Sequence, residues 1–112
     1  MELNVQLLHT LVCHGYQKAM IELEGALEEA GLPVRFEVTL VNSRAAAEQY
    51  KFIGSPTIRI NGVDIELEAA GVEKFGLDSC RPYFWKDKFY DYPPKDMILS
   101  ALKKHSVTRA GS

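Results

Sequence analysis

The chain has 112 residues, 46% of them apolar and 25% charged, with a net charge of −2. This is enough for one domain that buries its own core without disulfides or metals, and it predicts an ordered soluble globule. The slight acidity excludes whole-molecule attraction to nucleic acid or anionic lipid, and no basic run of nucleic-acid-binding length occurs.

Met1 to His9 lacks both the positive start and the unbroken apolar stretch of a secretory signal. No window approaches the roughly 18 apolar residues that span a bilayer. A cytoplasmic location without membrane partners is the expectation. In a reducing compartment the two cysteines read as thiols rather than a permanent bridge.

Val5 to Val12 is mostly apolar without alternation, which predicts a central strand covered on both faces. Tyr16, Met20, Leu23, Leu27 and Ala30 then repeat at three and four residues, tracing one face of a helix that Gly31 and Pro33 end. Val34 to Val41 alternates, with Val34, Phe36, Val38 and Leu40 on one face, which predicts a second strand parallel to the first. Asn42 or Ser43 can cap a short helix through Ala45, Ala46, Ala47 and Tyr50.

The run from Phe52 to Ile65 organises the rest. Asn61-Gly62 predicts a two-residue hairpin turn, because both central residues of a type I′ turn need positive φ. Ile60 then opposes Val63, Ile58 opposes Ile65, and Arg59 faces Asp64 on the other side. Pro56 at the mouth of the hairpin is a candidate cis residue. From Glu66 to Tyr92 the sequence holds Cys80 and the aromatic group Tyr83, Phe84, Trp85, Phe89, Tyr90 and Tyr92. A loop of that length is expected to fold back on the core. Pro94 suits the first position of a last helix, whose inner face is Met97, Ile98, Ala101, Leu102 and His105. His105 at its end would favour the protonated ring through the helix dipole. The expectation is one domain over residues 1–105, with 106–112 a frayed tail.

Gly54-Ser55-Pro56-Thr57-Ile58-Arg59-Ile60-Asn61-Gly62 resembles the cis-proline hairpin of thioredoxin-fold proteins, and Cys13 stands upstream at a separation which that fold uses. With Cys80-Arg81-Pro82-Tyr83, the motifs are similar to those of small bacterial thioredoxin-family proteins, some described as alkylmercury-lyase-like. The resemblance implies an α/β fold: a thioredoxin-like four-stranded mixed sheet flanked by helices, with an insertion before the last helix. In such proteins the residue before the proline, here Ser55, presents its backbone to an extended peptide or to glutathione.

Cys13-His14-Gly15-Tyr16 occupies the turn where a thioredoxin-like protein carries its paired cysteines, but Tyr16 stands in the resolving position. At a helix start Cys13 would be favoured as a thiolate, the nucleophilic form. The alternative is an inert buried thiol. Cys80 is the candidate partner, with Arg81 beside it to favour a thiolate, or else a cysteine packed among the aromatics. His14 is expected to be exposed, and His9 to be a hydrogen-bonded core residue. No His or Cys set has the spacing of a structural zinc site, and no cofactor is implied.

The leading expectation is thiol redox or thiol transfer through Cys13, with Cys80 as second catalytic residue. Ser55, Pro56 and Tyr16 would bind a thiol-containing peptide or a small thiol. The enzyme class, if there is one, is a thiol-disulfide oxidoreductase of monothiol type. Two alternatives stay open: a non-catalytic module that binds a partner or forms a homodimer, and soft-metal or organomercurial handling by Cys13 and Cys80, since thiolates select soft ions.

Overall fold

The computed structural model describes residues 3–11, 15–66 and 81–110, the side chains of 106–110 excepted. The elements are β1 (Leu3–His9), α1 (Gly15–Ala30), β2 (Val34–Leu40), α2 (Arg44–Gln49), β3 (Thr57–Ile60), β4 (Val63–Asp64), β5 (Tyr83–Trp85), β6 (Lys88–Tyr90) and α3 (Lys95–Ala110). A four-stranded mixed sheet has the order β2-β1-β3-β4, with β1 parallel to β2 and antiparallel to β3; β5 and β6 form a separate ribbon. No helix among the described residues is long and apolar enough to cross a membrane.

β1 is central, and its side chains divide the core in two. Leu3, Val5 and Leu7 pack with Ala19, Leu23 and Ala26 of α1 and with Ile98 and Leu102 of α3. Leu8, on the opposite face, packs with Val41, Ala47 and Phe52 at α2. The helices therefore cover both faces of the sheet. In α1 the buried stripe is Ala19, Leu23 and Ala26, with Met20, Leu27 and Ala30 at its flanks. The stripe is rotated from the expected one because short alanines let the helix axis approach the sheet, while longer side chains reach in from the sides. β2 is an edge strand, and its alternation buries only half its length: Val34 and Phe36 reach the core, whereas Val38 and Leu40 are exposed.

Ser43 caps α2, its Oγ accepting from the Ala46 amide at 3.0 Å. Asn61 and Gly62 both have positive φ, as a type I′ turn requires. Ile60 pairs with Val63 across that turn. Arg59 and Asp64 are cross-strand neighbours, but they do not bond each other: Arg59 Nη2 donates to the Lys51 carbonyl at 2.9 Å, while a different arginine takes Asp64. Tyr83 of the insertion is fully buried, so the chain folds back on the core there, while the exposed rings of its ribbon neighbours Phe84 and Phe89 meet at a 49° tilt with centroids 4.9 Å apart.

Pro94 sits one place outside α3, its carbonyl accepting from the Met97 and Ile98 amides as a cap residue's does. The helix continues to Ala110, beyond the Ser106 at which a tail was expected. His105 is therefore not at the helix end, and the dipole argument for its protonated form does not hold. Burial lowers its pKa below the ordinary histidine value and Lys104 lowers it further. A folded-state pKa below the unfolded one adds stability that is full above about pH 6.5 and is lost as the pH falls through the folded value. Thermal melts from pH 7 to pH 5 should show this decline, and His105→Gln should flatten it; an unchanged pH profile would contradict the assignment.

Candidate functional site

The Ser55-Pro56 peptide bond is cis and sits where β1, α1 and the insertion meet. Ser55 is 1% exposed, and both its oxygens accept hydrogen bonds: Oγ from the Thr10 amide at 3.1 Å, and the carbonyl from the Arg81 amide at 3.0 Å. The Pro56 carbonyl accepts from the Tyr83 hydroxyl, and Thr57 Oγ1 donates to the Gly54 carbonyl at 2.6 Å. From the other side comes the first residue of α1. A Cβ placed on Gly15 would lie 3.6 Å from Pro56 Cδ and 2.5 Å from the Asp91 carbonyl oxygen. Only a glycine lets the helix start this close.

The Arg81 guanidinium holds the insertion against the hairpin. Nη1 donates to Asp64 Oδ2 at 2.6 Å and to Thr57 Oγ1 at 3.2 Å, and Nη2 donates to Asp64 Oδ1 at 2.7 Å and Glu66 Oε1 at 2.9 Å. The other Glu66 oxygen accepts from the Phe84 amide at 3.1 Å. Burial opposes the charge on Arg81, but the bonds to Asp64 and Glu66 outweigh it and leave its pKa above the ordinary arginine value. The cation also lies 4.4 Å from the Tyr83 ring centroid, within the range of cation–π attraction. Burial raises the Tyr83 pKa well above the usual phenol range, against the pull of Arg81, so the hydroxyl stays protonated and donates to Pro56.

The sequence-predicted site residues divide accordingly. Ser55 and Pro56 are at the junction. Tyr16 is near its rim, stacked on His9 at 4.1 Å between centroids. His9 closes β1 as a buried residue whose Nδ1 lies 3.3 Å from the Thr10 carbonyl, in keeping with a core histidine. Cys13, His14 and Cys80 lie outside the described residues.

Two expectations change. The Arg81 charge is committed to Asp64 and Glu66, so its side chain is not a free cation beside Cys80. The Ser55 backbone was expected to receive an outside peptide by strand addition, and its carbonyl is taken by the chain's own Arg81 amide.

The roles of four residues, Asp64, Glu66, Gly15 and Tyr83, were not anticipated. Asp64 ends β4 and Glu66 follows in a bend whose amide donates to Asp64 Oδ1 at 2.9 Å, and that local turn brings two carboxylates to one cation. Glycine in the first helical position of Cys13-His14-Gly15 signals a close approach. Tyr83 stands in the Cys80-Arg81-Pro82-Tyr83 motif, but nothing local marks the partner of its hydroxyl, 27 residues away. The Thr10 hydroxyl, buried three residues before Cys13, has no hydrogen-bond partner among the described residues. Among those residues, too, no three His, Cys, Asp or Glu side chains converge as a metal site.

Neither the curated proteins nor the solved structures include a match to this chain. A family described as "Domain of unknown function (DUF2703)" matches residues 13–102, a span that opens on Cys13 and takes in the cis-proline hairpin and Cys80. That match covers most of the sequence, and the chain belongs to the DUF2703 family.

Proposed function

We propose that this is a thioredoxin-like thiol redox protein in which Cys13 is the nucleophile and Cys80 its resolving partner. The observation that carries the reading is the convergence on Ser55-Pro56. A Cβ on Gly15, two residues after Cys13, would lie 3.6 Å from the Pro56 ring, and the amide of Arg81, one residue after Cys80, donates to the Ser55 carbonyl. The sheet order β2-β1-β3-β4, with α1 and α3 on one face and α2 on the other, agrees with the core expected of a thioredoxin-like chain. The first turn of α1 contains no acidic residue and does contain Lys18. That leaves the helix end electropositive and favours a nearby thiolate.

The Cys13 thiolate attacks a disulfide R–S–S–R′, forming the Cys13–S–S–R bond and releasing R′S⁻. The Cys80 thiolate then attacks the Cys13 sulfur, forming the Cys13–Cys80 disulfide and releasing RS⁻. The two protons lost by the cysteines end on the released thiols. The protein is oxidised by two electrons and the substrate reduced by two, with a small thiol or reducing protein returning the protein to its dithiol form.

Alkylation rates against pH should give Cys13 a pKa below the free-thiol value of about 8.5. Cys13→Ser should abolish reduction of a glutathione mixed disulfide, and Cys80→Ser should stall at the Cys13 mixed disulfide. A Cys13 pKa at or above the free value, with no turnover, would rule the reading out. A non-catalytic binding module is favoured by one observation, the exposed Phe84 and Phe89 pair. Cys13→Ser behaving as wild type in every thiol assay would select it.

A further inference from the structure

We infer that the chain forms a symmetric homodimer by antiparallel pairing of β2 with β2 of a second copy, with the two-fold axis at Phe36. β2 is a seven-residue edge strand, and among the described residues only β1 bonds to it. The Leu3 amide donates to the Pro33 carbonyl at 3.0 Å and the Val41 amide to the His9 carbonyl at 2.8 Å. Backbone groups alternate sides along a strand, so the odd-numbered residues of β2 bond to β1, and Val34, Phe36, Val38 and Leu40 turn theirs to the open edge.

A dyad perpendicular to the sheet pairs residues whose numbers sum to twice that of the axis residue. An axis at Arg35 or at Glu37 sets like charges directly opposite each other, which is repulsive. An axis at Phe36 pairs Phe36 with its own copy and Val34 with Val38 of the second copy, through the outward-facing amides and carbonyls. It also sets Arg35 of each chain opposite Glu37 of the other in the non-hydrogen-bonded positions, where Cα atoms approach to about 4.5 Å. Arg35 and Glu37 are both exposed, and neither has an ion-pair partner among the described residues. The strand is thus complementary to itself in charge as well as hydrogen bonding. Pairing also brings half-exposed Val38 against Val34 of the second copy. The Phe84–Phe89 pair is more exposed but shows no such self-complementary charge pattern.

The test is sedimentation equilibrium of the full chain under reducing conditions, so that no disulfide contributes and the outcome does not depend on the thiol reading. Wild type should dimerise. Arg35→Glu changes two attractive pairs into two repulsive ones and should raise the dissociation constant roughly tenfold or more. The exchange Arg35→Glu with Glu37→Arg should restore it to within about threefold of wild type, since the pairs are then reversed but intact. Amide exchange at Phe36 and Val38 should slow with rising wild-type concentration and not in the single variant. A wild-type monomer at about 1 mM, a thousandfold above a micromolar constant, would overturn the proposal. So would a dimer indifferent to Arg35→Glu, or an exchanged pair that fails to restore it.

Discussion

Replacing Arg81 by alanine is expected to destabilise the fold by about 3 kcal/mol, the cost of stranding buried charges when one partner of an ion pair is removed. Exposed ion pairs contribute far less. Burial decides which case applies, and the Arg81 side chain is 6% exposed, against 12% for Asp64 and 21% for Glu66. Alanine would leave both carboxylates in place with the cation gone, and would remove the charge from above the Tyr83 ring. Arg81→Lys keeps the charge but cannot span Asp64 bidentately while reaching Glu66 and Thr57, so it should fall between wild type and alanine. For a domain of this size the alanine variant should melt roughly 12 °C lower. Chemical denaturation showing a loss under about 0.5 kcal/mol would mean that the cluster behaves as a surface pair.

The second large effect runs against local propensity. In a helix, glycine to alanine ordinarily stabilises by roughly 0.5–1 kcal/mol. At Gly15 the new Cβ would meet the Asp91 carbonyl oxygen at 2.5 Å, a backbone atom that cannot rotate away. Either the start of α1 or the strap ahead of α3 must move, at an expected cost of about 1–3 kcal/mol for overpacking. Because the same Cβ would lie 3.6 Å from Pro56 Cδ, the displacement should slow the thiol exchange proposed for Cys13 by more than the stability loss implies. Gly25→Ala is the internal control: its Cβ would lie 3.4 Å from Lys95 Cδ, the flexible part of a side chain, so this variant should be neutral or more stable. Equal effects at the two glycines would remove the close approach at Gly15 from the account.

What the sequence made legible was the part governed by neighbours along the chain. The Asn61-Gly62 turn, the Ile60–Val63 register, the Ser43 cap and the Ser55-Pro56 mouth follow from local backbone chemistry, and each is observed. What it hid was settled across long separations. Arg59 and Asp64 read as a cross-strand pair; the register agrees, yet the ion pair goes to Arg81. A buried bidentate partner outcompetes a half-exposed one. The exposure of Val38 and Leu40 could not be read from alternation, which reports a shared face and not how far a helix extends over it. His105 was read against a helix end that lies five residues further on, and its pKa direction reversed with it.

Ser55 teaches the most about the site. Its motif pointed to a backbone presented outward, and the structure shows that carbonyl bonded to the amide that follows Cys80. An internal segment bonded to the Ser55 carbonyl is the physical reason for proposing Cys80, and not a second cysteine in the Cys13 turn, as resolving partner.

That assignment has a direct test: oxidise the purified protein with a stoichiometric small disulfide, digest it without reduction, and map the linked peptides by mass. The account predicts one intramolecular link, Cys13 to Cys80, formed at a rate independent of protein concentration. Two free thiols after oxidation, or links only between separate chains, would contradict it.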